Sequence, residues 1–469
     1  MAKKELGVDR NGVKKTMRFM DYFGDGCGQG GLNLVMALSG QAAYFYTEKV
    51  GIAAATVSLV LFITKIIDAF TDLPMGRIID RSKNPKGKCR PWLLRMAIPF
   101  FISTLLLFTI PKGLDATLQL AYLLVTNVLF SAIVYTAVSV PYSALPVMRT
   151  NSVDERSKIQ VTRNIFSYLF GAIPAITVIP ITNMLGGTQN AWIKYGVVIG
   201  LASALLLIIC YKTTKETSDE TEQDNIDNIQ NVEENEPNVT FAKGMVMLVK
   251  NKFWLFAMLT SFVYQIGYGL GNSSGTYYAK YIYGNDNLVA VVGGIGMIAM
   301  VLSFFIAGPV IKKFGLTGTI RVVTVCDVVK LVVMAFFPRA FWLNTFLACA
   351  GSLFAVAGIA AANVMVNNCV EYNEYLYGTK MIGMTNSAVG FASKVGIGLG
   401  SALVTLCLAV SGYVSASATQ TKSVEYGIFA FTIYIPLVLV IAKIIFSELY
   451  RPYEKMYGEI LKKNAEKNS

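Results

Sequence analysis

Histidine is absent from this 469-residue chain, which excludes a histidine metal site, a histidine general base and a histidine proton relay. Carboxylates must do any proton or ion work. Charge is scarce as well, at 15% of residues against 54% hydrophobic, a balance that excludes an ordinary soluble protein. The seven cysteines (Cys27, Cys89, Cys210, Cys326, Cys349, Cys369, Cys407) stand singly, without the paired spacing of a metal site or a disulfide framework. No nucleophile–base or metal constellation is present to suggest an enzyme, and no cofactor is expected.

Long apolar runs take the place of what is missing. They recur from near the N-terminus to near the C-terminus, each close to the ~20 residues that cross ~30 Å of hydrocarbon as a helix. The first six fall near Gly30 to Tyr46, Gly51 to Met75, Trp92 to Ile110, Leu118 to Ala144, Ile165 to Ile181 and Tyr195 to Tyr211. Six more fall near Phe253 to Tyr278, Val289 to Ile311, Thr317 to Phe337, Phe341 to Val370, Ile382 to Val410 and Tyr426 to Ile445. The predicted fold is an all-α membrane protein of twelve transmembrane helices in two six-helix bundles, residues 1–212 and 245–469. Between them, residues 213–244 are rich in Asp, Glu, Asn and Gln and poor in aromatics, which predicts a flexible linker.

The net charge of +12 comes from basic residues in short loops, so it sets topology and gives no reason to expect nucleic acid. Arg77, Arg81, Lys83, Lys86, Lys88, Arg90 and Arg95 separate spans two and three, and Arg149, Arg156 and Lys158 separate four and five. These loops, the linker and both termini are therefore expected on the cytoplasmic side of an inner membrane. Met1 to Arg18 carries six basic residues with no short apolar core and cleavage site after them, so it reads as a tail.

Polar residues inside the apolar runs carry the chemistry. Asp68 and Asp72 lie one helical turn apart in span two. At 5–6 Å and an effective dielectric near 20, two ionised carboxylates repel by about 3 kcal/mol. A cation or proton relieves that; the competing reading is a structural pairing with Lys65 or another basic residue. Tyr264, Gln265, Tyr268 and Asn272 form a polar-aromatic stripe in span seven, suited either to packing or to stacking on a pyranose or pentose. Asp327 and Lys330 stand at i and i+3 in span nine and are expected to neutralise each other. Glu371 and Glu374, at the end of span ten, are candidates for an inner-gate ion pair with Arg156 or Lys158.

The loop Gly76-Arg-Ile-Ile-Asp80-Arg81 resembles the signature of the major facilitator superfamily, with a weaker echo at Gly308-Pro-Val-Ile-Lys312-Lys313-Phe-Gly315. Gly76 would allow close helix approach, and Asp80 and Arg81 would clamp helix ends. The runs Asp68-Ala-Phe-Thr-Asp72-Leu-Pro-Met-Gly76, Gly87-Lys88-Cys-Arg90-Pro91-Trp92, Val140-Pro141-Tyr142-Ser143-Ala144-Leu145, Glu155-Arg156 with Arg163, and Glu371-Tyr-Asn-Glu374-Tyr375 before Lys394 resemble the glycoside-pentoside-hexuronide:cation symporters.

That resemblance implies the major facilitator fold, a small sugar as substrate, membrane lipid as surroundings and Na⁺, H⁺ or Li⁺ as coupling ion. It assigns the cation to Asp68 and Asp72, with Thr136 as a neutral ligand, and places Arg163 and Lys394 in the central cavity, beside Tyr142. The sugar-binding acid it implies in span four is replaced by Ser139, so a galactoside preference does not carry over. In the glycine-rich run Gly24 to Gly31, Asp25, Gln29 and Asn33 are alternative candidates for a second sugar ligand. A cation-coupled carrier of another organic solute or of lipid, and a transport-dead solute sensor, are the alternative functions.

Overall fold

A computed structural model describes residues 7–8, 15–80, 82, 84, 87–111, 113, 115–146, 148–150, 152–216, 241–378, 381–415 and 420–468. Arg81 and most of the linker lie outside these residues, as do the side chains of Asp72 and Asp80. The described chain is all-helical, and ten of its helices are long and apolar enough to cross a membrane. One of them, Leu288–Phe336, bends at Gly315, where φ is 71° and ψ is −175°, and is therefore two spans. Together with the more polar first helix, these are the twelve spans of the fold.

We label the spans α1 (Phe19–Gly40, continued to Val50), α2 (Ala54–Asp80), α3 (Arg90–Phe108), α4 (Ala116–Ala144), α5 (Val153–Met184) and α6 (Gln189–Thr213). The rest are α7 (Lys252–Tyr281), α8 (288–314), α9 (316–336), α10 (Phe341–Tyr377), α11 (Ile382–Val410) and α12 (Lys422–Asn464). A short helix, Phe241–Lys250, precedes α7. Packing divides the chain into two compact units, Met1–Ile52 with Ile63–Asn231, and Ala53–Phe62 with Val232–Ser469. Large apolar side chains such as Ile98, Val198, Phe305, Trp342 and Val438 point outward, as a hydrocarbon solvent requires.

α5 begins twelve residues earlier than hydropathy suggests, because Ser152 caps it and Asp154 and Glu155 occupy its polar first turn. Glu155 is buried there. Its carboxylate accepts the N–H groups of Thr16 and Met17, ahead of α1, at 2.9 and 2.8 Å, and the Thr150 hydroxyl at 2.5 Å.

In the first unit, α1 packs on α5 and α6 along its glycines. A Cβ on Gly26 would stand 2.7 Å from the Phe166 ring of α5, and one on Gly31 3.0 Å from the Ser203 carbonyl of α6. The glycine-rich run is thus a packing face. The second unit repeats the device where α7 meets α11. Gly269 and Gly400 put each helix against the other's backbone, at Ile397 and Ile266, with no space for a Cβ.

A second repeated device lies before α3 and α9. Glu216, just beyond α6, accepts the N–H groups of Lys88, Cys89 and Arg90 at 2.7, 2.9 and 2.5 Å. Glu454, on α12, accepts those of Leu316 and Thr317 at 2.6 and 3.1 Å, and the Thr317 hydroxyl. A carboxylate on a helix N-terminus satisfies orphan donors and the helix dipole together. Each sits beside a glycine of positive φ, Gly87 at 109° and Gly315 at 71°. Gly76, expected to permit close helix approach, has no atom of the described residues within 4 Å of where its Cβ would stand. At Gly87 and Gly315 it is a glutamate carboxylate, and not a helix, that comes close.

Candidate functional site

α2 and α4 bring together the first group of expected residues. Asp68 is 3% exposed. The Thr136 hydroxyl donates to its Oδ1 at 3.4 Å, and Lys65 Nζ lies 3.8 Å from its Oδ2. Lys65 in turn donates to Ser131 Oγ at 3.5 Å. Ser131 belongs to a π-helical segment, Leu129–Tyr135, that ends immediately before Thr136. Such segments insert an extra residue into an α-helix and are frequent at functional sites. Asp72 follows one turn along α2, its side chain outside the described residues. The two readings left open by the sequence, an ion site and a pairing with Lys65, meet at one carboxylate.

The second group closes on itself in the first unit. Asp25 is fully buried. It receives Arg163 through Nε and a terminal nitrogen at 2.6 and 3.0 Å, Arg149 at 3.1 Å, and the Tyr142 hydroxyl at 3.3 Å. The Tyr142 hydroxyl also donates to the Asp25 carbonyl at 2.7 Å, Arg163 donates to the Tyr142 carbonyl at 2.9 Å, and its guanidinium stacks 3.7 Å from the Tyr142 ring centre. Three expected sugar ligands, Asp25, Tyr142 and Arg163, are thereby brought together as partners of one another. Arg149, which the sequence presented as a topogenic loop residue, completes them. Asn33 is half-buried, bonded through Nδ2 to the Gln29 carbonyl at 3.0 Å, and Ser139 is half-buried on α4.

In the second unit the α7 stripe divides. Tyr268 is 55% exposed, and Gln265 Nε2 donates to Ser393 Oγ at 3.1 Å, beside half-buried Lys394 on α11. Tyr264 faces away from them. Its hydroxyl is buried against Gly358 of α10, and Lys443 Nζ stands 4.5 Å from its ring centre. Lys443, on α12, pairs with Asp327 at 2.9 Å. The expected Asp327–Lys330 pair is therefore replaced, since a buried ammonium from a facing helix reaches the carboxylate directly. Lys443 interrupts an apolar run, the signal by which the sequence alone would have revealed it.

Of the expected gating residues, Arg156 Nε donates to the Thr150 carbonyl at 2.9 Å and Lys158 is exposed. Glu374 accepts Asn464 Nδ2 at 3.1 Å, and the same amide donates to the Glu371 carbonyl at 2.9 Å. Arg81 and the Asp80 side chain lie outside the described residues.

Residues 24–451 match the family model described as MFS/sugar transport protein. A Bacillus subtilis symporter, YnaJ, is 29% identical, with 96% of this chain and 95% of the relative covered. The isoprimeverose transporter of Lactiplantibacillus pentosus is 24% identical over 91% of this chain and 88% of its own length. Among solved structures, a bacterial homologue of the human lysosomal transporter Spinster shares the fold, at 12% identity and a TM-score of 0.65 over 95% of this chain and 99% of that one. The chain is thus an integral membrane transporter, and it belongs to the sugar transport family of the major facilitator superfamily, among the glycoside-pentoside-hexuronide:cation symporters.

Proposed function

We propose that this protein carries a glycoside, pentoside or hexuronide into the cell together with Na⁺ or H⁺, by alternating access. The observation that supports it best is Asp68, buried at mid-helix with Thr136 at 3.4 Å and a cationic group at 3.8 Å. An arriving cation competes with Lys65 for the carboxylate, and Ser131 Oγ, 3.5 Å away, receives the ammonium it displaces. Asp72, Thr136 and Asp68 are the proposed ion ligands. Gln265, Tyr268 and Lys394 are the proposed solute contacts of the second unit. Both termini are proposed to lie in the cytoplasm, a reading supported by the basic loops. One positive charge moving through 100 mV supplies ~2.3 kcal/mol, or about fortyfold accumulation before any ion gradient is counted.

Uptake into proteoliposomes, measured with a panel of glycosides, pentosides and uronides with and without Na⁺ and across pH, tests the reading. Solute affinity is expected to rise with Na⁺ or with acidification, and linkage requires the solute to raise cation affinity by the same factor. Asp68→Asn is expected to abolish accumulation while leaving weak binding and downhill exchange. Native affinity indifferent to both ions, or a variant that still concentrates solute, would leave a uniporter.

A further inference from the structure

The proposed ion site has a further oxygen beside it. Along α2, Thr64, Asp68, Met75 and Ile79 are all buried, at the spacing of one helical stripe. Thr64 and Asp68 stand there at i and i+4, which makes them neighbours with Cβ atoms about 5–6 Å apart. A helical side chain leans toward the turn before it, and Asp68 does so, since its Oδ2 lies 3.8 Å from Lys65 Nζ. Its carboxylate therefore stands over the turn that carries Thr64.

The Thr64 hydroxyl is unspent. Other buried threonines of this unit bond back to the carbonyl four residues earlier, Thr104 at 2.7 Å, Thr126 at 2.8 Å and Thr182 at 2.6 Å. Thr71, between the two aspartates, donates to the Asp68 carbonyl at 3.0 Å. Thr64, 3% exposed, does neither: its buried Oγ1 has no hydrogen-bond partner among the described residues. A buried hydroxyl without a partner costs free energy, and one set a turn from a buried carboxylate points to a ligand that takes both. The spacing of Thr136 points the same way. Oxygens held at about 2.4 Å by a hard cation, at right angles to one another, lie about 3.4 Å apart. The Thr136 hydroxyl stands 3.4 Å from Asp68 Oδ1, longer than the usual O–H···O distance of about 2.7–2.8 Å. A second unpartnered threonine, Thr324, precedes Asp327 by one turn, but Lys443 already holds that carboxylate at 2.9 Å, where Lys65 stands off from Asp68 at 3.8 Å.

We infer that Thr64 Oγ1 is a ligand of the coupling ion, alongside Asp68 and Thr136, and that this ion is a metal cation, Na⁺ or Li⁺, in preference to a proton. A proton needs one lone pair of one carboxylate, and neutral hydroxyls add little to its binding. A metal cation needs several hard oxygens at once, and Thr64 and Thr136 supply them without adding charge. Lys65, drawn toward Ser131, leaves the Asp68 oxygens to the ion. The inference rests on the symport reading and names its ion.

The experiment is calorimetric titration of NaCl and LiCl into the purified full-length protein, against choline chloride at equal ionic strength. The native protein is expected to bind Na⁺ or Li⁺. Thr64→Val keeps the shape, removes the hydroxyl and is expected to weaken that binding about tenfold or more, while its unfolding temperature without the ion stays at or above the native value. Thr64→Ser restores the hydroxyl and is expected to recover most of the affinity, which a packing role does not explain. Thr64→Ala removes the hydroxyl without adding a methyl group and gives the same decision where valine does not fit. Hydroxyl-free variants that bind the ion as tightly as the native protein overturn the inference, and so does a native protein that binds neither ion. In the first case, loss of binding in Asp68→Asn leaves the ion site standing without Thr64. In the second, solute affinity that rises on acidification leaves symport standing with H⁺ as the coupling ion.

Discussion

Each unit sets an aspartate against a cation from elsewhere in its own fold, Asp25 against Arg163 and Asp327 against Lys443, and the two are treated in opposite ways. Asp25 of the first unit is saturated, with bidentate Arg163, Arg149 and Tyr142 filling its oxygens at no exposure. Asp327 of the second unit holds one ammonium and keeps an open oxygen. A fully satisfied network is rigid, and breaking any member strands a charge; an unsaturated pair can exchange partners. The same sequence therefore builds a brace in one half and a changeable contact in the other.

The strongest way to break this contrast is to remove one cation from each. Arg163→Gln leaves Asp25 buried beside a single arginine and is expected to cost about 3–5 kcal/mol, while Lys443→Met, whose partner carboxylate is 24% exposed and not enclosed, is expected to cost no more than about 2. Thermal unfolding in detergent, followed by a thiol-reactive dye, resolves the two, because Cys27 and Cys210 are buried in the first unit and Cys369 in the second. Equal losses would mean that saturation does not distinguish the pairs.

A smaller effect is expected where the units agree. Gly315→Ala places a Cβ 2.8 Å from the Glu454 carboxylate in a backbone conformation that glycine alone adopts freely. A loss of about 1–3 kcal/mol is expected, and Gly87→Ala should match it at the Glu216 cap. A Gly87→Ala protein as stable as the native one would show that the first cap is dispensable. The smallest effect belongs to the charge on the caps. Glu216→Gln and Glu454→Gln keep an acceptor oxygen, so each is expected to lose about 0.3–1 kcal/mol. Identical unfolding temperatures for native and both variants would assign the caps to shape alone.

Helix number was legible in the sequence because hydrocarbon thickness fixes run length, and Asp68 stood out as a candidate because intramembrane charge is rare. The caps were not. Glu216 and Glu454 lie in polar sequence where an acid is unremarkable, and their targets are backbone N–H groups that no residue pattern advertises. Hydropathy also shortened α1, whose start mixes Asp21, Asp25 and glycines among its aromatics, and α5, whose first turn carries Asp154 and Glu155. The pairing of Asp25 with Arg163 and Arg149 brings residues 138 and 124 positions apart together, which a single sequence without covariation does not reveal. For Asp327, the local i, i+3 rule proposed Lys330 where packing chose Lys443.

The π segment of α4 sets the register of everything after it. An α-helix turns about 100° per residue, so the extra residue held in Leu129–Tyr135 rotates Thr136 by that angle relative to the helix that begins at Ala116. Thr136 meets Asp68 only in this phase. The Thr136 hydroxyl, the proposed cation ligand on α4, is consequently addressed by a backbone count as much as by its side chain. Moving the surplus residue one turn along the helix would turn threonine away from aspartate without altering a single amino acid.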